Sequence, residues 1–173
     1  ISDALARLVK ENNVVLVGER HSEELEPIRQ EIISSLAVLK ERGLTTVVLE
    51  ANIKDQELMD GLDYTDPNIK ELLKSNIKVK AWIDGNWDIL IEAKKVGLKV
   101  QFIDTSYKEV PGYPTLGPQF DNARDKILFS NFQQGRNEEL KTLIFIGSAH
   151  VSKKPIQEYY GMKKGKELYE EVT

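Results

Sequence analysis

The chain has two histidines, His21 and His150, and both sit in the same local pattern. "VVLVGERHSEE", from residue 14, and "LIFIGSAHVSK", from residue 143, each run from an apolar stretch into Gly-x-x-His and then into polar residues. Imidazole is the side chain whose unperturbed pKa lies nearest neutrality, so it serves as a proton acceptor, a proton donor or a metal ligand. Two further apolar stretches also end on an ionisable group: "TVVLE" closes on Glu50 and "QFID" on Asp104. Glutamate is a poor helix cap, so Glu50 is hard to read as local structure. Asp104 reads more simply as a cap for the next helix.

Two imidazoles with one or two carboxylates allow two kinds of chemistry. They could ligate a divalent ion such as Mn²⁺, Co²⁺ or Zn²⁺, which lowers the pKa of a bound water. The ligands would then be Glu19, His21, Glu50 and His150. Alternatively, a histidine oriented by a glutamate acts directly as the general base for water. A serine triad has little support, because no G-x-S-x-G turn is present and Ser148 carries no other signal. Phosphate-cradling glycine motifs are absent as well. Arg124, in "FDNARDKILF", reads from its position as an exposed partner for Asp121 one turn away, unless it reaches the same site. Trp82 and Trp87 read as packing residues, with the floor of an apolar ligand pocket as the alternative.

Composition narrows the field. The chain has 173 residues, is 40% hydrophobic and carries a net charge of −4 with its basic residues dispersed. A single domain, 1–173, is expected. Phosphate backbones and anionic membrane surfaces are bound through clustered positive charge, so nucleic acid and lipid are disfavoured as partners. There is no cysteine, which removes disulfides, thiolate metal sites and cysteine nucleophiles. No apolar run approaches the roughly 20 residues that span a bilayer. The compartment stays open between cytoplasm and bacterial cell envelope, and because the first residue is Ile1 rather than Met, the chain reads as a trimmed or mature protein or as part of a longer polypeptide.

The residues that could do chemistry must be positioned by the elements between them. The four apolar runs, at 14–17, 46–49, 100–103 and 143–146, are continuous rather than alternating. That pattern fits strands covered on both faces of a parallel sheet. Ile28, Ile32, Leu36 and Leu39 mark a helix stopped by Gly43, with Pro27 in its first turn. A second helix is expected over 86–96, ended by Gly97, and a third over 120–134 with Phe120, Ala123, Ile127 and Phe132 turned inward. Residues 54–80 read as a helical insertion, 107–118 as a lid or binding loop, and a last helix is expected near 155–160 or later. The fold class is therefore α/β: a mostly parallel sheet of four or five strands flanked by helices, with a helical insertion. In such sheets ligands bind beyond the carboxyl ends of the strands, where all four ionisable ends would converge.

The ordered set Gly18-Glu19-Arg20-His21, Glu50, the tryptophan stretch, Arg124-Asp125 and Gly147-Ser148-Ala149-His150 resembles the superfamily of ChaN-like haem-binding lipoproteins, erythromycin esterases and TraB/Tiki proteins. The resemblance implies a polar cluster of Glu19, His21, Glu50, Arg124 and His150. It implies a bacterial hydrolase acting on an ester or amide in a small-molecule or peptide substrate. His21 would be the base or a metal ligand, and Glu19 and Glu50 ligands or orienters. His150 would be a second ligand or proton donor, and Arg124 would stabilise charge developing on the carbonyl. The ChaN-like members imply haem binding and a homodimer. The sequence departs from them in reading Ser22-Glu23-Glu24 after the first histidine. A non-catalytic domain of a larger protein is the remaining alternative.

Overall fold

The computed structural model describes residues 2–19, 26–76, 84–112 and 118–151. Four strands form one sheet: β1 (Val14–Glu19), β2 (Leu44–Asn52), β3 (Lys99–Asp104) and β4 (Lys141–Gly147). Their spatial order is β1-β4-β2-β3, and every neighbouring pair is parallel. Each coincides with one of the four apolar runs, extended by a residue or more at its ends. The helices are α1 (Ser2–Glu11), α2 (Glu26–Glu41), α3 (Gln56–Asp60), α4 (Ile69–Asn76), α5 (Asp84–Lys95), α6 (Pro118–Gly135) and α7 (Ser148–Val151). No helix among the described residues is long and apolar enough to cross a membrane.

Both sheet faces are covered, which is why the strands read as unbroken apolar runs. Val15, Val47, Leu49, Val100, Phe102 and Leu143 meet helices α1, α2 and α5 on one face. Val48, Ile103, Ile144 and Ile146 meet Leu128 and Phe132 of α6 on the other. Right-handed crossovers dictate this division. From β1 to β2 to β3 the chain advances one way across the sheet, placing α2 and α5 on the same side. From β3 to β4 it returns, so α6 lies on the opposite side. Adjacent strands β2 and β3 therefore send their connections to opposite faces, the topological position at which open parallel sheets place a crevice at the carboxyl ends.

Gly43 and Gly97 end α2 and α5 with φ of 99° and 76°, a left-handed backbone that favours glycine. Three details differ from the sequence reading. A helix, α1, precedes β1 and buries Leu5 and Val9. Ile28 is 41% exposed, while Arg29, bonded to Glu26 at 2.5 Å, takes the inward position. In α6 the buried face is Arg124, Asp125, Leu128 and Phe132, whereas Ala123 and Ile127 are half-buried. The pattern misled because two charged residues hold positions that an apolar face would give to hydrophobes. Segments 53–60 and 69–76 are helical, as expected for the insertion. The expected last helix near 155–160 lies outside the described residues, as do 113–117 of the expected loop 107–118, of which 107–109 is a short 3-10 turn and Pro118 begins α6.

Candidate functional site

Strand parity places Glu50. Val48 faces α6 and Leu49 the opposite helices, so Glu50 returns to the α6 side at the end of its strand. Asp104 closes the neighbouring strand β3. Because α6 runs back from that end, its first turns lie over the carboxyl edge, and Arg124, seventh of its eighteen residues, drops into the crevice. On the other side β4 ends at Gly147 and α7 begins at once, carrying His150 inward.

These side chains form one buried network. Arg124 donates from Nε to Asp104 Oδ1 at 3.2 Å and from Nη2 to Asp104 Oδ2 at 2.7 Å, a two-pronged pairing. Nη2 also bonds Glu50 Oε1. Glu50 Oε2 accepts from the Gly147 backbone N–H at 2.8 Å, stitching β2 to the end of β4. His150 Nδ1 lies 2.5 Å from Asp125 Oδ1, while its Nε2 lies 3.0 Å from Arg124 Nη1 and 3.6 Å from Glu50 Oε1. Arg124, His150 and Asp125 are 8%, 8% and 1% exposed, so little water screens the charges. The Tyr107 ring covers the Arg124 guanidinium with its centroid 5.2 Å away.

The electrostatics follow from these contacts. Burial disfavours the Glu50 carboxylate, but His150, Arg124 and the Gly147 N–H outweigh it and hold its pKa far below the usual 4.5. Arg124 is likewise penalised by burial and held charged by Glu50 and Asp104. For His150, burial favours the neutral ring, yet the Asp125 and Glu50 carboxylates prevail and push its pKa up to about 9. That value sits awkwardly with the Arg124 contact, since an imidazolium Nε2–H would face another N–H donor at 3.0 Å. Two carboxylates flank the one ring and favour its protonated form. The Arg124 contact suits the neutral ring, and Glu50 Oε1, 3.6 Å from Nε2, is the carboxylate oxygen that faces the protonated one.

Of the residues singled out from sequence, the structure brings Glu50, Arg124 and His150 together. His21 and the Glu19 side chain lie outside the described residues, although the Glu19 backbone pairs in register with Gly147. Arg124 is not the exposed salt-bridge partner its position suggested. Asp104 bonds the next backbone N–H, Thr105, at 2.8 Å, as a cap would, but its main partner is Arg124. Asp125 was not among the site residues and holds the histidine; the adjacent pair Arg124-Asp125 was its one visible signal. Trp87 is a core residue, 3% exposed, and Trp82 lies outside the described residues. Among the described residues no group of three or more His, Asp or Glu is arranged to hold a metal ion. Arg124 is the cation between Glu50 and Asp104, while Glu19 and His21, the other two expected metal ligands beside Glu50 and His150, have side chains outside the described residues. A hollow of about 290 Å³ beside β3, lined by Gln56, Gln101 and Gly135 among others, shares no residue with the cluster.

No protein-family model and no curated protein matches the sequence. Solved structures do match its fold. The type III effector HopBA1 aligns with a TM-score of 0.61 at 22% identity, over 87% of this chain and 73% of that one. The C-terminal region of Pasteurella multocida toxin, for which a thiol-protease-like catalytic triad is described, aligns at 0.66 and 15% identity, over 90% of this chain and 22% of that one. RRSP, a MARTX toxin effector domain from Vibrio vulnificus CMCP6, aligns at 0.56 and 17% identity, over 88% and 31%. This chain thus spans under a third of the length of the latter two. These likenesses establish the fold alone. They also correct the resemblance drawn from sequence: the matched chains are bacterial effector and toxin domains, not ChaN-like lipoproteins, erythromycin esterases or TraB/Tiki proteins. Four-residue signposts at strand ends recur wherever a parallel strand enters a tight turn with an ionisable residue, so their order did not specify a family. The expectation of haem loses its support with that resemblance.

Proposed function

We propose that this domain is a hydrolase that activates water at His150 against an ester or amide carbonyl. One observation carries the reading: His150, 8% exposed, is held at Nδ1 by Asp125 with Nε2 turned toward Arg124 and Glu50 at the β2/β3 crevice. Nδ1–H donated to Asp125 fixes the tautomer, leaving the Nε2 lone pair as the base. Water approaching Nε2 takes over the contact now made by Arg124 Nη1. Its proton passes to Nε2, its oxygen bonds the carbonyl carbon, and the imidazolium formed is stabilised by Asp125 and Glu50. The same proton is then returned to the departing oxygen or nitrogen. Arg124 holds Glu50 and Asp104 ionised and in place.

The thiol-protease-like triad described for the Pasteurella toxin region supports the idea that this fold accommodates a histidine-centred site. Here no cysteine exists to act as a nucleophile, which favours water. The test is a panel of activated esters and peptides assayed with the wild type and with His150→Gln, in EDTA and separately with Mn²⁺, Co²⁺ or Zn²⁺. Hydrolysis that survives EDTA and falls at least about 100-fold in His150→Gln is expected. A variant as active as the wild type removes His150 from the chemistry.

A further inference from the structure

The described cluster is short of positive charge. Glu50, Asp104 and Asp125 contribute three carboxylates, against Arg124 and, at most, one imidazolium at His150. Arg124 has little left to offer a ligand. Its Nε and both Nη2 hydrogens go to carboxylates and one Nη1 hydrogen to His150, leaving one of five N–H groups. An incoming carboxylate or phosphate would have to displace Asp104 from its two-pronged pairing and would meet the remaining carboxylates at short range. Among the described residues, nothing donates a hydrogen bond to Oδ2 of Asp125, a residue 1% exposed. A fourth carboxylate, Asp121, lies one turn earlier on α6, and burial together with Asp125 raises its pKa.

We infer that the site selects a carbonyl compound carrying a positively charged group, such as an ammonium or guanidinium beside the bond to be cleaved, and excludes anionic ones. This rests on the hydrolase reading for where the carbonyl is held. The cation itself is recognised by the surplus carboxylates of α6, with Asp121, half-buried, as the contact open to a ligand. A neutral analogue lacks that attraction, and an anionic one meets repulsion in a site that is largely dry.

Three probes of matched size distinguish the cases: the N-acetyl methylamides of lysine, norleucine and glutamate, titrated into the whole chain and followed by ¹H–¹⁵N NMR. The reporters are the Gly147 and Thr105 amides, which bond to Glu50 and Asp104. The expected order of affinity is lysine, norleucine, glutamate, with at least about a tenfold gap between first and last that narrows as salt is added. Asp121→Asn should weaken the lysine probe several-fold and leave the norleucine probe unchanged. Equal or tighter binding of the glutamate probe, or no lysine-dependent shift at either amide, overturns the inference. Because binding is read without turnover, selective lysine binding with no hydrolysis of any ester would sink the hydrolase reading and leave this one standing.

Discussion

Replacing Arg124 by Met tests whether the cluster is a coupled unit. Methionine fills much of the arginine stem's volume but supplies no charge, so Glu50 and Asp104 would be left without their cation. Glu50 would keep the Gly147 N–H and His150, and Asp104 the Thr105 N–H. Breaking a buried pair from one side typically costs about 3–5 kcal/mol, because the abandoned charge stays desolvated. Here one guanidinium serves two carboxylates, which argues for the upper half of that range. For a chain of this size each kcal/mol lowers Tm by roughly 2–4 °C, so the melting point should fall by roughly 8–20 °C.

Urea and thermal unfolding followed by the fluorescence of buried Trp87 would measure the loss. Acidification supplies an internal check. The folded pKa of Glu50 lies well below 4.5, so its ionised form stabilises the fold above pH 4.5, and that contribution fades as pH falls from there toward the folded pKa. Without Arg124 the depression shrinks, so the gap between variant and wild type should narrow below pH 4.5. Neutralising the partners too, in Arg124→Met/Glu50→Gln/Asp104→Asn, should recover part of the stability. A single variant within about 1 kcal/mol of the wild type, or a triple variant less stable than the single, would refute the view that these charges hold one another.

Asp125→Asn removes the charge that holds Nδ1 of His150. The imidazole pKa should drop from about 9 toward or below 6.5, read from the ring proton resonance in a His21→Ala background that leaves one histidine. In the wild type the raised pKa contributes stability that is complete below pH 6.5 and lost as pH climbs through about 9, and the Asn variant should lose that slope. If His150 is the base, kcat/KM should rise toward pH 9; a profile falling through that range would instead make it the acid. Gly135→Ala drives a Cβ into Gln101 Nε2, which is bonded to the Asn131 and Phe132 carbonyls. Displacing it should cost about 1–2 kcal/mol by chemical denaturation, largely recovered by adding Gln101→Ala. Gln56→Ala strips two bonds from edge strand β3, to Val100 O at 3.0 Å and from Phe102 N at 2.7 Å. Light scattering should then show concentration-dependent self-association.

The sheet was legible because burial on both faces leaves a one-dimensional signature that β1 to β4 all display. Glu50 was legible for the complementary reason: a charge ending such a run must have a partner. What pairing it would find was not. Arg124 is separated from Glu50 by 74 residues, and its side chain meets the carboxylates only because α6 returns across the opposite face from α2. On its own helix the apolar periodicity points to Ala123 and Ile127, so the inward turn of Arg124 and Asp125 runs against the pattern. Helix α1 left no strand-end signal to anchor it.

The placement of Arg124 and Asp125 side by side also sets opposite charges against the two ends of one ring. Consecutive helix positions diverge by about 100°, so α6 directs a cation and an anion to different atoms of the same crevice. Asp125 reaches Nδ1 and Arg124 reaches Nε2, the two ends of the imidazole. The carboxylate stabilises the protonated ring, and the guanidinium opposes it. With Asp125 and Glu50 prevailing, the ring keeps its proton through the neutral range and yields it as pH climbs toward about 9; were both neighbours basic, it would never accept one. Exchanging the two residues, in Arg124→Asp/Asp125→Arg, would preserve composition and net charge yet reverse that polarity. The expected result is a folded or partly destabilised domain whose His150 titrates at lower pH and whose water activation is lost. Retention of the wild-type titration in that variant would mean the order of the pair is incidental to the chemistry.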